Sequence, residues 1–193
     1  MTVTSNAVPD TGAPPHPHHT GKHWIDDWRP EDPEFWNGTG RPIARRNLIF
    51  SIFAEHIGFS VWLLWSIVVV QMTAAADGSA AASGWALTTT QALWLVAVPS
   101  GVGAFLRIPY TFAVPVFGGR NWTVVSALLL LIPCLLMSWA VSDPGFSFVG
   151  LCLIAATAGF GGGNFASSMA NISFFYPERE KGWALGLNAA GGN

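Results

Sequence analysis

The sequence predicts an all-helical membrane protein with four complete transmembrane helices and the beginning of a fifth. Of its 193 residues, 51% are hydrophobic and only 10% are charged, whereas an ordinary soluble domain has about 25% charged residues. Its mean hydropathy is +0.40. Four apolar runs each reach the roughly 20 residues that a helix needs to cross a bilayer. These observations favour a protein that is embedded in the lipid bilayer.

The chain divides into a polar tail and a transmembrane domain. Residues 1–46 form the tail, which is rich in proline and histidine, and residues 47–193 form the transmembrane domain. We expect transmembrane helices over residues 48–72, 88–117, 122–142 and 146–176, and a fifth from residue 183. Short polar or glycine-rich segments separate the apolar runs and mark the turns between them. The aromatic and acidic stretch DWRPEDPEFW, in the second half of the tail, is expected to dock on the protein's own cytoplasmic face.

The basic residues predict the orientation in the membrane. Eight of the nine fall in the tail, just before the first helix, between the second and third, or after the fourth: Lys22, Arg29, Arg41, Arg45, Arg46, Arg120, Arg179 and Lys181. Loops rich in lysine and arginine face the cytoplasm. We therefore expect a multi-pass protein of the cytoplasmic (inner) membrane with a cytoplasmic N-terminus.

The ninth basic residue, Arg107, lies deep within the second apolar run. It precedes the expected cytoplasmic loop by about ten residues, or about 15 Å at helical rise, and half of the hydrocarbon core is also about 15 Å. A charge at that depth must face the bundle interior or a wet cavity and find a partner there. Three kinds of partner are compatible with the sequence: Glu55 of the first helix, backbone carbonyls freed by Pro109 or Pro115, and an anionic substrate.

The fourth apolar run combines small residues with polar and aromatic ones. Two rows of small residues recur every four positions: Ala155, Gly159, Gly163 and Ser167, and Ala158, Gly162, Ala166 and Ala170. Such spacing lets helices approach closely in lipid. Packing alone does not explain Asn164, Phe165 and Asn171, or the asparagines of the fifth segment. A guanidinium fork, amide donors and an aromatic cover would together form a site for a small planar oxyanion.

At these residues the chain resembles the N-terminal part of a nitrate/nitrite porter of the NarK type, from the major facilitator superfamily. The stretches that carry the resemblance are DWRPEDPEFW, LRIPYTFAVPVFGGRNW, GGNFASSMANISFFYP and KGWALGLNAAGGN. The resemblance implies two pseudosymmetric six-helix halves, with a substrate site at the midplane between them. It also implies transport of nitrate and nitrite across the bilayer by alternating access.

The resemblance assigns roles to individual residues. Arg107 matches the nitrate-binding arginine of the second helix, Phe165 the phenylalanine that stacks on the anion, and Asn193 an asparagine of the fifth helix. Trp65 matches an aromatic position of the first helix. Because such a porter needs about twelve helices, we expect this sequence to be truncated within the fifth. It would then need the missing C-terminal half as its partner and would not transport alone.

The sequence is compatible with two transport modes and with one role other than transport. We favour nitrate/nitrite antiport, because exchange of one monovalent anion for another needs no group that changes charge. Nitrate/proton symport is the alternative, with Glu55 and His56 as the intramembrane candidates for proton coupling. The other alternative is a small membrane scaffold or subunit in which Arg107 and Glu55 form a structural ion pair.

The sequence contains no pattern that predicts an enzyme. No nucleophile and base are suitably spaced, and His16–His19 lack a cysteine or acidic ligand at a zinc spacing. We therefore expect no catalytic residue, no metal, no cofactor and no nucleic acid partner.

Overall fold

The computed structural model describes residues 25, 27–75 and 77–192 as a bundle of helices. The histidine cluster at 16–19 and Asn193 lie outside the described residues. The helices are α1 (Pro33–Phe35), a π-helical turn (Trp36–Gly40), α2 (Arg41–Gln71), α3 (Thr89–Phe117), α4 (Gly119–Leu129), α5 (Leu131–Ala140), α6 (Phe148–Phe175) and α7 (Glu178–Gly192).

Four helical segments of the described chain are long and apolar enough to cross a membrane. They are Pro33–Gln71, Thr89–Phe117, Gly119–Ala140 and Phe148–Phe175. Many large apolar side chains on these segments point outward, including Phe53, Phe105 and Leu153. An apolar exterior of this extent suits a lipid environment. The expected class, an all-helical membrane protein, is confirmed.

The observed helix ends have local physical causes. Residues 33–46, which the sequence assigns to the tail, are helical because the Asp32 side chain accepts hydrogen bonds from the first backbone N–H groups. Thr88 and Gln91 form a capping box at the start of α3. The third apolar run is interrupted at Leu130, because Pro133 offers no N–H to the carbonyl of Leu129.

Helix α6 lies at the centre of the bundle and packs closely on α3. A Cβ added at Gly159 would lie 2.7 Å from Cβ of Val102 and 2.9 Å from the backbone nitrogen of Gly103. Any larger residue at position 159 would therefore push the two backbones apart. The small-residue rows of α6 thus serve helix packing at this contact, as the sequence predicts.

Helix α2 packs against the other side of α6 in the antiparallel direction. A Cβ added at Gly58 would lie 3.5 Å from the carbonyl oxygen of Gly161. The indole of Trp62 covers Gly103 and Gly162, and its Nε1 donates to the carbonyl oxygen of Ala158 at 2.7 Å. Trp62 therefore fills the space that the glycines leave between the three helices.

The segment before α2 docks on the connection between α6 and α7, as the sequence predicts. Nε1 of Trp28 donates to the carbonyl oxygen of Phe175 at 3.2 Å. Trp36 is fully buried, packs edge-on against Tyr176, and donates from Nε1 to Glu180 at 3.0 Å. Arg41 donates to the same carboxylate at 3.1 Å. These contacts tie the segment before α2 to the connection between α6 and α7 at one end of the bundle.

Candidate anion site

Arg107 lies on α3, ten residues before its end at Phe117. The helix continues through Pro109, which offers no N–H to the carbonyl of Phe105. The hydroxyl of Thr111 donates to the carbonyl oxygen of Arg107 at 2.8 Å, so the backbone acceptor of the arginine is occupied. The Arg107 side chain itself is exposed at the bundle surface.

The guanidinium of Arg107 lies over the ring of Phe165, with Cζ 5.3 Å from the ring centroid. This is a cation–π contact, which fixes the direction of the charge without using its hydrogen-bond donors. Within residues 27–75 and 77–192, the guanidinium makes no ion pair and donates no hydrogen bond. Its fork of N–H donors is therefore available to a planar anion.

Two aromatic residues of α2 extend the surface around Phe165. The ring centroids of Phe59 and Phe165 lie 6.4 Å apart in an edge-on arrangement, and those of Phe59 and Trp62 lie 5.9 Å apart. The sequence does not single out Phe59 or Trp62. Their spacing of three residues puts them on one helix face, but α2 is rich in aromatic residues and the sequence does not tell which face meets α6.

The other two polar or aromatic candidates already have partners in the structure. Asn164 is buried, and its Oδ1 accepts a hydrogen bond from the hydroxyl of Ser167 at 3.0 Å. Trp65 is buried in an apolar cluster, and its Nε1 donates to the carbonyl oxygen of Leu95 at 2.9 Å. That carbonyl lacks its usual helical donor because residue 99 is a proline. The roles of both residues at an anion stay predictions.

Glu55 does not pair with Arg107. Its carboxyl group is buried on α2 and accepts a hydrogen bond from Nδ2 of Asn188 at 2.8 Å. The neighbouring residue His56 is exposed, because adjacent helical residues point about 100° apart. The structural ion pair that the sequence leaves open is thus absent from the described residues, and the two candidates for proton coupling face different surroundings.

The membrane-length helices and the polar groups buried between them are typical of a multi-pass membrane protein. Three known proteins are similar to the chain in sequence. The chain is 47% identical over 172 residues to the nitrate/nitrite transporter NarU of Salmonella typhimurium. It is 46% identical over 172 residues to NarU of Escherichia coli, and 41% identical over 170 residues to the probable nitrate/nitrite antiporter NarK2 of Thermus thermophilus. No family model matches the chain.

These alignments include nearly all of this chain but only part of each relative. They cover 89%, 89% and 88% of the chain, and 36% of each of the three relatives. Over the aligned residues the chain is similar to part of a NarK-type porter, as the resemblance implies, and its helical fold is consistent with part of a major facilitator transporter.

Proposed function

We propose that the chain is part of a transporter that exchanges nitrate and nitrite across the membrane by alternating access. In this proposal Arg107 binds the anion, Phe165 covers one face of it, and Asn193 and Asn164 contribute amide groups near it. Trp65 stays a weaker member of this set, since its indole N–H is already bonded to Leu95. The names of the relatives, two nitrate/nitrite transporters and a probable antiporter, support the choice of substrate.

The observation that carries the proposal is the guanidinium of Arg107, which forms no ion pair and donates no hydrogen bond within the described part of the chain. A charge at membrane depth needs a partner, and Glu55, the acid that the sequence offers, is bonded to Asn188 instead. The exposed Arg107 side chain lies against an aromatic ring that accepts no proton and carries no charge. An anion supplies the missing negative partner of this guanidinium. In a scaffold protein an unpaired guanidinium would stabilise no contact.

Exchange suits this site better than proton symport. One fixed positive charge balances one monovalent anion, so nitrate and nitrite replace each other without a change of charge in the protein. Proton symport would need a group that takes up and releases a proton during the cycle. Glu55 is enclosed by α2, α6 and α7, and His56 points away from it, which supports antiport over symport.

The proposal also includes the partners of the chain and its orientation in the membrane. We infer that its partners are the lipid bilayer and the rest of a longer porter, whose second half completes the substrate site. The basic residues support a cytoplasmic N-terminus in the inner membrane. Residues Arg41, Arg179 and Lys181 then lie at the cytoplasmic side, around the docked segment at Trp36.

Counterflow in proteoliposomes tests the proposed function. The full-length protein is reconstituted with nitrite inside, and labelled nitrate is added outside. We expect nitrate uptake that depends on internal nitrite and that stops when chloride replaces it. Uptake that is indifferent to the internal anion would contradict antiport, and no uptake of either anion would contradict the assignment to nitrate and nitrite.

A further inference from the structure

A buried hydrogen-bond network joins three helices next to the candidate anion site. Asn188 of α7 is fully buried, and its Nδ2 donates to Glu55 of α2 at 2.8 Å and to the hydroxyl of Ser168 on α6 at 3.1 Å. Glu55 lies one helical turn before Phe59, and Ser168 lies three residues after Phe165. The network thus lies directly below the aromatic surface beside Arg107.

The network holds α7 against α2 at a point of close approach. Ala184 and Asn188 are completely buried on one face of α7. One turn further, a Cβ added at Gly191 would lie 2.9 Å from Cγ2 of Ile52. The hydrogen bonds of Asn188 therefore act at the middle of the α7 contact and set how far the following turn, with Gly191, approaches α2.

The carboxyl group of Glu55 has no partner that would balance a charge. Oε1 accepts the bond from Asn188, while Oε2 is buried and has no hydrogen-bond partner in the described part of the chain. Glu55 belongs to no ion pair among the same residues. Burial of an unpaired charge is far more costly than burial of one unpaired hydroxyl, so the surroundings favour a neutral carboxyl group.

No charged residue on the neighbouring helices replaces the missing partner. Residues 148–175 of α6 include no acidic or basic residue. On α7 the nearest charge is Lys181, seven residues before Asn188, or about 10 Å along the axis. On α2 itself His56 is exposed, and Arg46 lies nine residues away, about 13 Å. Arg107 of α3 contacts Phe165 instead.

We propose that Glu55 is a positioning residue: its neutral carboxyl group, bonded to Asn188, fixes the position of α7 on α2 beside the anion site. In this role Glu55 keeps its proton throughout the transport cycle and touches neither nitrate nor nitrite. The inference rests on the proposed function only where it concerns transport, because the neutral state and the helix contact are properties of the fold.

Infrared spectroscopy of the full-length protein tests the neutral state without any transport assay. The difference between wild type and Glu55→Gln at neutral pH should contain the C=O stretching band of a protonated carboxylic acid, shifted in heavy water. The matched control, Glu34→Gln, changes an exposed residue and should remove carboxylate bands only. A carboxylate signal in the Glu55→Gln difference would overturn the proposal.

A pair of substitutions tests the positioning role. Glu55→Gln keeps a carbonyl oxygen that accepts from Asn188, whereas Glu55→Met has similar volume and no such acceptor. We expect the KM for nitrate to be about two- to tenfold higher in Glu55→Met than in Glu55→Gln, which corresponds to one neutral hydrogen bond, with less change in kcat.

Equal KM values for the two variants, with both folded by size-exclusion chromatography, would overturn the positioning role. If Glu55→Met fails to fold while Glu55→Gln folds, the acceptor is needed for the α2–α7 contact itself, which supports the proposal. Absence of nitrate transport in the wild type would count against the proposed function alone, since the infrared result stands independently of it.

Discussion

Arg107 on α3 and Phe165 on α6 meet across the most closely packed pair of helices, with the guanidinium carbon 5.3 Å from the ring centroid. The contact depends on glycines at the α3–α6 crossing, since a side chain at Gly159 would collide with Val102 and with the backbone at Gly103. The position of Arg107 over Phe165 therefore depends on helix packing a few residues away. Substitutions at the site and substitutions at the helix crossing test these two features separately.

Arg107→Lys should abolish most nitrate uptake by the full-length protein, although the charge is kept. An ammonium group lacks the planar fork that matches an oxyanion. Loss of one charge-assisted hydrogen bond corresponds to roughly 1.5–3 kcal/mol, or about 10- to 150-fold in affinity. The measurement is nitrate uptake in proteoliposomes. Arg120→Lys, at the start of α4, is the matched control, and near-normal uptake by Arg107→Lys would remove Arg107 from the site.

Phe165→Ala should weaken anion binding while expression and folding stay largely intact. The substitution removes the ring that holds the guanidinium in place, a contact of about 0.5–2 kcal/mol, so the loss of affinity for nitrate should be at most about 30-fold. Phe174→Ala, which changes an exposed phenylalanine of the same helix, is the control. Nitrate binding in detergent and thermal stability are measured for both. An unfolded Phe165→Ala with unchanged binding in the surviving fraction would make Phe165 a packing residue.

An imposed pH gradient should drive no nitrate uptake by the wild-type protein. Exchange needs no titrating group, so nitrate/nitrite exchange should also persist in His56→Gln and in Glu55→Gln. The comparison is exchange flux against pH-driven uptake in the same vesicles. Robust pH-driven uptake that is lost in one of the two variants would establish symport and identify that residue as the proton carrier.

Gly159→Ala should destabilise the protein, whereas Gly101→Ala should not. The new methyl group at position 159 would lie 2.7 Å from Cβ of Val102, while nothing lies within 4 Å of a Cβ at position 101. Overpacking of this kind typically costs about 1–3 kcal/mol. Thermal unfolding in detergent measures the difference. If the two variants melt at the same temperature, the close approach of α3 and α6 does not contribute to stability.

Glu180→Ala should cost more stability than Arg41→Ala. The first change leaves the indole N–H of the fully buried Trp36 without an acceptor, at a cost of about 1–3 kcal/mol. The second removes an exposed ion pair to the same carboxylate, which is worth about 0–1 kcal/mol. Thermal melting of the two single variants measures both losses of stability. A larger loss in Arg41→Ala than in Glu180→Ala would show that the ion pair contributes more to docking than the hydrogen bond of Trp36 does.

The class of the protein follows from the sequence alone. Hydropathy and run length are local properties, and a bilayer imposes one requirement on every span, so the four membrane-crossing segments follow without knowledge of their contacts. The small-residue spacing of α6 and the isolated position of Arg107 are local in the same sense. The docking of the aromatic stretch before α2 also follows from the sequence, because burial of large aromatic side chains such as tryptophan is favourable.

The contacts between side chains of different helices are known from the folded structure and not from the sequence. The sequence offers Glu55 as a partner for Arg107, yet the rotation of α2 directs Glu55 to Asn188 and brings Phe59 and Trp62 towards α6. Trp65 likewise bonds to a carbonyl that a proline on another helix leaves free. Such pairings depend on the relative rotation and height of helices that are distant in sequence, and periodicity within one helix does not contain that information.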